Sequence, residues 1–570
     1  MSVIYFNFDA DDYPVLNPAV LSTLKEHQLG IIAHESAENV ERILKERGVA
    51  DYFSPKLRIR RTEDARATFD IARKAAGAAA DDVFYVDVDR SQLEIAAEAG
   101  IRTATDATRV PLLAKKKSLA SVAHIADCTA EAKEAGLDNN PGPADEVDFD
   151  QLLQRLEVAK LRLPPLYLDA AHKPFVAQLN ELGPTKFAKI LIDDPSKEGA
   201  GGLMLDISHS ILQNGERFLD TATDAFQEVV TDLYDGFLSA QDRRGIKMPD
   251  RAVLPPLVKW GNPSFGPYTF PIDATSTFGL QCGVVNMPPA NSAKGIVAWA
   301  ALGHETAGHD ILHADHGLQA EIADAVQQAL EPLKFGLGDY WSQRIDETSS
   351  DVMGILNMGP APAIGLIAYF RGLDAAFGGG DGKLRNDGPD NDPHPADILR
   401  GYLASEVVRL LAFSDAAVWA NLIKKETDKD VASGATTFNI AGTAVPIAVA
   451  QQSAKAAAKT VATFKAKVLH KHSLIEIQNW RDSDEDIVAS LIPPLTTAAG
   501  LPTNVTGAGV FAAHVVAAAV MAALNGKGTT ATIFNRMITL LKSMHDSNPA
   551  WGPLHVLHPS SIYRDRTYIR

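Results

Sequence analysis

"IVAWAALGHETAGHDILHADHG", residues 296–317, is an apolar, alanine-rich run that leads straight into a histidine cluster. Four histidines and a glutamate fall between His304 and His316, in a chain with only 16 histidines in 570 residues. The run before His304 is expected to be helical, which puts the cluster on a helix. Side chains four residues apart lie about 40° apart around a helix and can share a metal ion. Glu305, His309 and His313 have that spacing. His304 and His309 are five apart, about 140° in a regular α-helix. One inserted residue, a π-bulge, would bring them back to one face, and Gly308 lies inside the interval. Two ligand sets are therefore open. One is His304 with His309 on a bulged helix; the other is Glu305, His309 and His313 on a straight one.

The string from His304 to His309 reads HExxGH. It resembles the zinc motif of the dipeptidyl peptidase III family, which widens the usual HExxH by one residue. Downstream, "RIDETSSDVMG" (344–354) supplies Glu347 and Asp351 in the ExxxD spacing of gluzincin-type peptidases. Asp346 stands where the family has its first glutamate. The resemblance spans residues 304–351. It implies that His304, His309 and Glu347 bind Zn²⁺. It also implies that Glu305 is the general base and that Asp351 accepts the free ring N–H of a liganding histidine. Two imidazoles and one carboxylate leave the open position that catalytic zinc requires. On that reading His313 supports the site from behind the ligands.

Further along, "NDPHPADILRGYLASE" (391–406) offers His394, Arg400 and Tyr402 as groups that could stabilise an oxyanion. His394 lies 47 residues after Glu347. That is close to where the resembled family carries a later active-site histidine, which implies a catalytic role for it. The segment 257–292 is rich in Gly, Pro and aromatics. It reads either as an edge strand with a substrate cleft or as a packed surface loop.

The N-terminal part has a different rhythm. "VIYFNF" (3–8), "LGIIAH" (29–34) and "VFYVDV" (83–88) are short apolar strands, the last two followed by helical stretches. This is the βαβ pattern of a parallel sheet covered by helices. "YFNFDADDY" ends the first strand with Asp9, Asp11 and Asp12. The region 1–113 resembles the haloacid dehalogenase-like hydrolases, whose first motif is a strand followed by DxD. The resemblance implies Asp9 as nucleophile, Asp11 as acid/base and Asp87 as a ligand of Mg²⁺. Several positions depart from the pattern. Asp12 and Tyr13 displace the threonine after DxD, Ala33 replaces the Ser/Thr that ends the second strand, and Arg61 stands for the phosphate-binding lysine or that group is missing. These departures point to a catalytically silent scaffold.

The expected architecture is multidomain. A small α/β domain (1–113) precedes a linker (114–150) centred on NNPGP and a large, mainly helical metallohydrolase domain (151–570). Formal net charge is −17, which argues against a nucleic-acid partner. Cys128 and Cys282 are the only cysteines. The start "MSVIYFNFDADD" lacks the basic region of a signal peptide, and "GVFAAHVVAAAVMAAL" (509–524) reads as a buried helix instead of a membrane span. A soluble, cytoplasmic protein acting on a peptide or small amide is the expectation. The alternatives are a magnesium-dependent phosphatase using Asp9, Asp11 and Asp87, or a non-catalytic binding protein with a structural metal.

Overall fold

The computed structural model describes residues 2–8, 17–78, 82–87, 89–104, 107, 110, 118–238, 243, 245–250, 254–261, 266–378, 380–503, 505 and 509–552. The chain divides into two compact units, 1–120 with 412–422, and 121–411 with 423–570.

In the first unit, β1 (Val3–Asn7), β2 (Gln28–Ala33), β3 (Phe53–Arg60), β4 (Val83–Val86) and β5 (Arg102–Ala104) form a parallel sheet in the order β3-β2-β1-β4-β5. Side chains alternate between two cores. Ile4 and Phe6 join Ile31, Phe84 and Val86 on one face, while Val3 and Tyr5 join Ile32, Val83 and Tyr85 on the other. Strands buried on both faces read as unbroken apolar runs, which is why these segments stand out in the sequence. Helix Ala37–Glu46 covers one face with Val40 and Leu44, and helix Ala65–Ala76 covers the other with Phe69 and Ala72. Ser36 and Asp64 cap these helices by accepting from Asn39 N and from Arg66 N and Ala67 N.

Strand order reverses between β1 and β4, where parallel sheets place their crevice. Asp87 lies there, fully buried, and accepts a 2.6 Å hydrogen bond from Tyr85 Oη. Arg61 donates to Asn7 Oδ1, Tyr85 Oη and Gln92 Oε1. Asp9, Asp11 and Asp12 lie outside the described residues.

The second unit is mainly helical, as expected. The 114–150 stretch is not simply a linker. Ile125–Gly136 is a helix that buries Ile125, Cys128, Ala132 and Ala135. Its Glu131 Oε2 accepts from Ile296 N, at the start of the helix that leads into the histidine cluster. The segment 257–292 resolves in favour of strands. β6 (Leu257–Trp260), β7 (Tyr268–Phe270) and β8 (Val284–Met287) form a sheet in the order β6-β8-β7, with β7 antiparallel to β8. Beneath the histidine segment, Trp299 packs on Phe226, Trp260 and Phe534 with ring centroids 6.0 to 6.3 Å apart. Its indole N–H donates to Asn291 O at 2.9 Å. Helix Ala512–Leu524 is buried throughout. No described helix is long and apolar enough to cross a membrane.

Candidate metal centre

The helix Ile296–Ala300 does not continue straight. Gly303–Gly308 is a π-helical turn, and a 3₁₀ turn, Ile311–Ala314, follows. The wider π turn moves His309 back beneath His304, and their ring centroids come within 4.9 Å. The straight-helix ligand set of Glu305, His309 and His313 is thereby excluded. His313 turns away, with Nε2 3.1 Å from Asp346 Oδ1 and Nδ1 3.3 Å from Asp273 Oδ2.

Helix Ile345–Met358 packs against the π turn at contact distance. A Cβ on Gly308 would fall 1.8 Å from Ser350 Oγ, and one on Gly354 would fall 2.8 Å from Gly303 C. Glycine is therefore needed at 308 for close approach. The same face of this helix carries Glu347 and Asp351.

His304, His309 and Glu347 form a group that could hold a metal ion. His304 Nε2 lies 3.1 Å from His309 Nε2 and 3.2 Å from Glu347 Oε2, and His309 Nε2 lies 3.4 Å from Glu347 Oε1. Ligands about 2.0–2.1 Å from a tetrahedral ion stand about 3.3 Å from one another. All three separations are close to that length, the two to Glu347 being made to different oxygens of its carboxylate.

Proton placement points the same way. His304 Nδ1 is 2.8 Å from Asp351 Oδ1, and His309 Nδ1 is 2.6 Å from Asp346 Oδ2. An ionised carboxylate only accepts, so each Nδ1 donates and each Nε2 is the ring nitrogen that faces the centre, where it can carry a proton or bind a metal ion. Glu347 Oε2 is buried, with His304 Nε2 at 3.2 Å and Arg400 at 4.0 Å. A proton at the centre satisfies one neighbour; a metal ion satisfies all three.

Charge is balanced around this core. Burial would raise the Glu347 carboxyl, but His304, His309 and Arg400 hold it at about 2. Burial would lower His304, but Asp351 and Glu347 outweigh it and raise the imidazole to about 10. Asp351 and Asp346 are held below the usual carboxylate range despite burial, Asp351 by Arg400 and His304, Asp346 by His309 and His313. Arg400 grips Asp351 with two bonds of 2.8 Å and lies 4.7 Å from the Phe370 ring centre.

A cavity of about 380 Å³ opens beside the group, lined in part by His304, Glu305, His394 and Arg400. The Glu305 side chain faces it and accepts from Thr269 Oγ1 of β7 at 2.8 Å. His394 Nε2 stands 3.3 Å from Glu347 Oε1, and its Nδ1 is 2.9 Å from Asp392 Oδ1. Sequence reasoning brought His304, His309, Glu347, Asp351, Glu305 and His394 to one place. It left Arg400 as one of three oxyanion candidates, whereas Arg400 is the partner of Asp351. Tyr402 points elsewhere, donating to Asp428 Oδ1 at 3.0 Å. Asp346, seen only as a departure from the motif, turns out to orient His309. Tyr369 and Thr269 also face the site, and no local signal singled them out.

Comparison with protein-family models, with curated proteins and with solved structures finds no match for this chain.

Proposed function

We propose that the chain is a zinc-dependent hydrolase that cleaves an amide bond in a peptide. One observation carries this reading: two imidazole Nε2 atoms and the Glu347 carboxylate converge at separations close to a tetrahedral edge, with Glu305 in the adjoining cavity. The two-histidine, one-carboxylate donor set is the kind catalytic zinc uses. Zinc held there would polarise a carbonyl and make water acidic enough to attack it.

The chain's own residues then have separate tasks. Glu305 takes the proton from the attacking water and delivers it to the leaving amine. Thr269 fixes the Glu305 carboxylate by donating to one of its oxygens. His394 donates to the oxygen that gains negative charge. Asp351 and Asp346 set the ring orientation of His304 and His309, and Arg400 holds Asp351. Edge strand β7, tied to the π turn through Thr269 and Glu305, lies where an extended substrate could align.

The first unit fits a haloacid dehalogenase-like scaffold without phosphatase chemistry. The parallel order β3-β2-β1-β4-β5 supports the fold. Arg61, which would have to meet a phosphate, is bonded to Asn7, Tyr85 and Gln92.

The test is hydrolysis of a quenched peptide library by the full chain, before and after chelation and after zinc is restored. Activity lost on chelation and regained with zinc supports the reading. Activity indifferent to chelation, or magnesium-dependent phosphatase activity in its place, overturns it.

A further inference from the structure

We propose that the cavity beside His304 and Glu305 selects an uncharged, apolar residue, aliphatic or aromatic, next to the bond that is cut. The proposal rests on the hydrolase reading and adds a substrate class to it.

One wall of the cavity is a single stripe of helix Pro360–Phe377. Leu366, Tyr369, Phe370 and Leu373 all line it, spaced i, i+3, i+4 and i+7. Pro267 and Ala301 add further apolar surface. The Phe370 ring is held in place under the Arg400 guanidinium.

The cationic groups of the wall are engaged within the protein, while Glu305 meets the neutral Thr269 hydroxyl and has no ion pair among the described residues. Arg400 is bonded twice to Asp351. Arg385 is bonded to Asp392 and, through two side-chain nitrogens, to Asp397. Asp374 accepts from the backbone N–H groups of Gly382 and Lys383. His394 is shared between Asp392 and Glu347. An acidic substrate side chain entering here would leave water and meet the Glu305 and Asp374 carboxylates, and a basic one would leave water for a wall that is mostly apolar, so both are disfavoured. An apolar one loses only hydration and gains contact. The cavity is at the small end of ligand sites, which run roughly from 300 to 1,000 Å³, so it suits one side chain and its flanking backbone.

The experiment uses the full chain after chelation, so that binding is read without turnover. Fluorescein-labelled Ala-Ala-X-Ala-Ala peptides, with X as Leu, Phe, Lys or Glu, are titrated by anisotropy. The Leu and Phe peptides should bind at least about tenfold tighter than the Lys and Glu peptides. Leu373 is only partly buried, so Leu373→Asp should keep the native circular dichroism spectrum and cut that advantage to less than about threefold. Equal affinity for all four peptides, preference for a charged X, no binding of any peptide, or an advantage that survives both Leu373→Asp and Leu373→Lys would overturn the proposal. Metal content, measured on the same sample before chelation, judges the hydrolase reading separately. A metal-poor sample that still prefers Leu and Phe keeps the pocket and sinks the hydrolase.

Discussion

His304 and His309 turn their Nε2 atoms toward each other at 3.1 Å, while the opposite nitrogen of each ring is held by a carboxylate. Two imidazoles five residues apart meet this way only because the backbone between them is π-helical. The first consequence concerns the backbone itself. Gly308→Ala would force a methyl group to 1.8 Å from Ser350 Oγ and 2.0 Å from its Cα. Overpacking of this kind costs about 1–3 kcal/mol or more. The variant should melt at a lower temperature and bind metal poorly. An unchanged melting curve with full metal content would mean the close packing of the two segments is misjudged.

The carboxylates behind the histidines should be separable. Asp351→Asn weakens the hold on His304, and loss of such an outer partner typically lowers metal affinity about 10–100-fold. It also removes the paired charge from Arg400, whose side chain is 6% exposed and whose other carboxylate neighbour, Glu347, is 4.0 Å away, at a cost of up to about 3–5 kcal/mol. Asp346→Asn acts on His309, but Asp346 is 35% exposed, so affinity should fall with much less loss of stability. Competition with a fluorescent chelator, alongside denaturant melts, checks both. Equal stability losses in the two variants would contradict the asymmetry.

Glu305→Gln keeps size and shape and removes the basic oxygen. Glu305 is not among the converging donor atoms, so metal should stay bound. Turnover should fall about 10²–10⁴-fold, the usual effect of losing a general base. Loss of metal in this variant would make Glu305 a ligand, and full activity would remove it from the mechanism.

How much of this was legible in the sequence varies element by element. The five-residue interval between His304 and His309 offered the π turn as one of two readings, because no regular helix puts both rings on one face, while the straight helix with His313 stayed open. The reason for Gly308 was not legible. It depends on Ser350 arriving from a helix some forty residues later, and close approach is a tertiary fact. Strands such as Val83–Val86 were visible because both faces are buried. The helix Ile125–Gly136 was masked by its acidic residues and by the NNPGP that follows, although Ile125, Cys128, Ala132 and Ala135 lie on its packed face. Arg400 was visible only as a nearby cation. Its pairing with Asp351 needed two helices to meet. His313 had ideal spacing for a straight helix and was lost when the helix broke at Gly308.

Metal uptake should depend on pH with a defined sign. Asp351 and Glu347 raise His304 to about 10, so at neutral pH a proton competes for the position a metal would take. Binding must displace that proton. Apparent affinity should therefore rise with pH up to about 10 and fall as the solution is acidified, with about one proton released per metal bound near pH 7. Titration calorimetry in buffers of different ionisation enthalpy measures this. Affinity independent of pH between 6 and 9 would show that His304 is not protonated in competition with the metal.

The central claim is that His304, His309 and Glu347 hold one metal ion between them. Elemental analysis of the purified full chain and of His304→Ala, His309→Ala and Glu347→Ala tests it most directly. The account predicts about one zinc per wild-type chain and loss of most of it in each variant, with His313→Ala close to wild type. Wild-type protein without stoichiometric metal, or variants that keep it, would contradict the account.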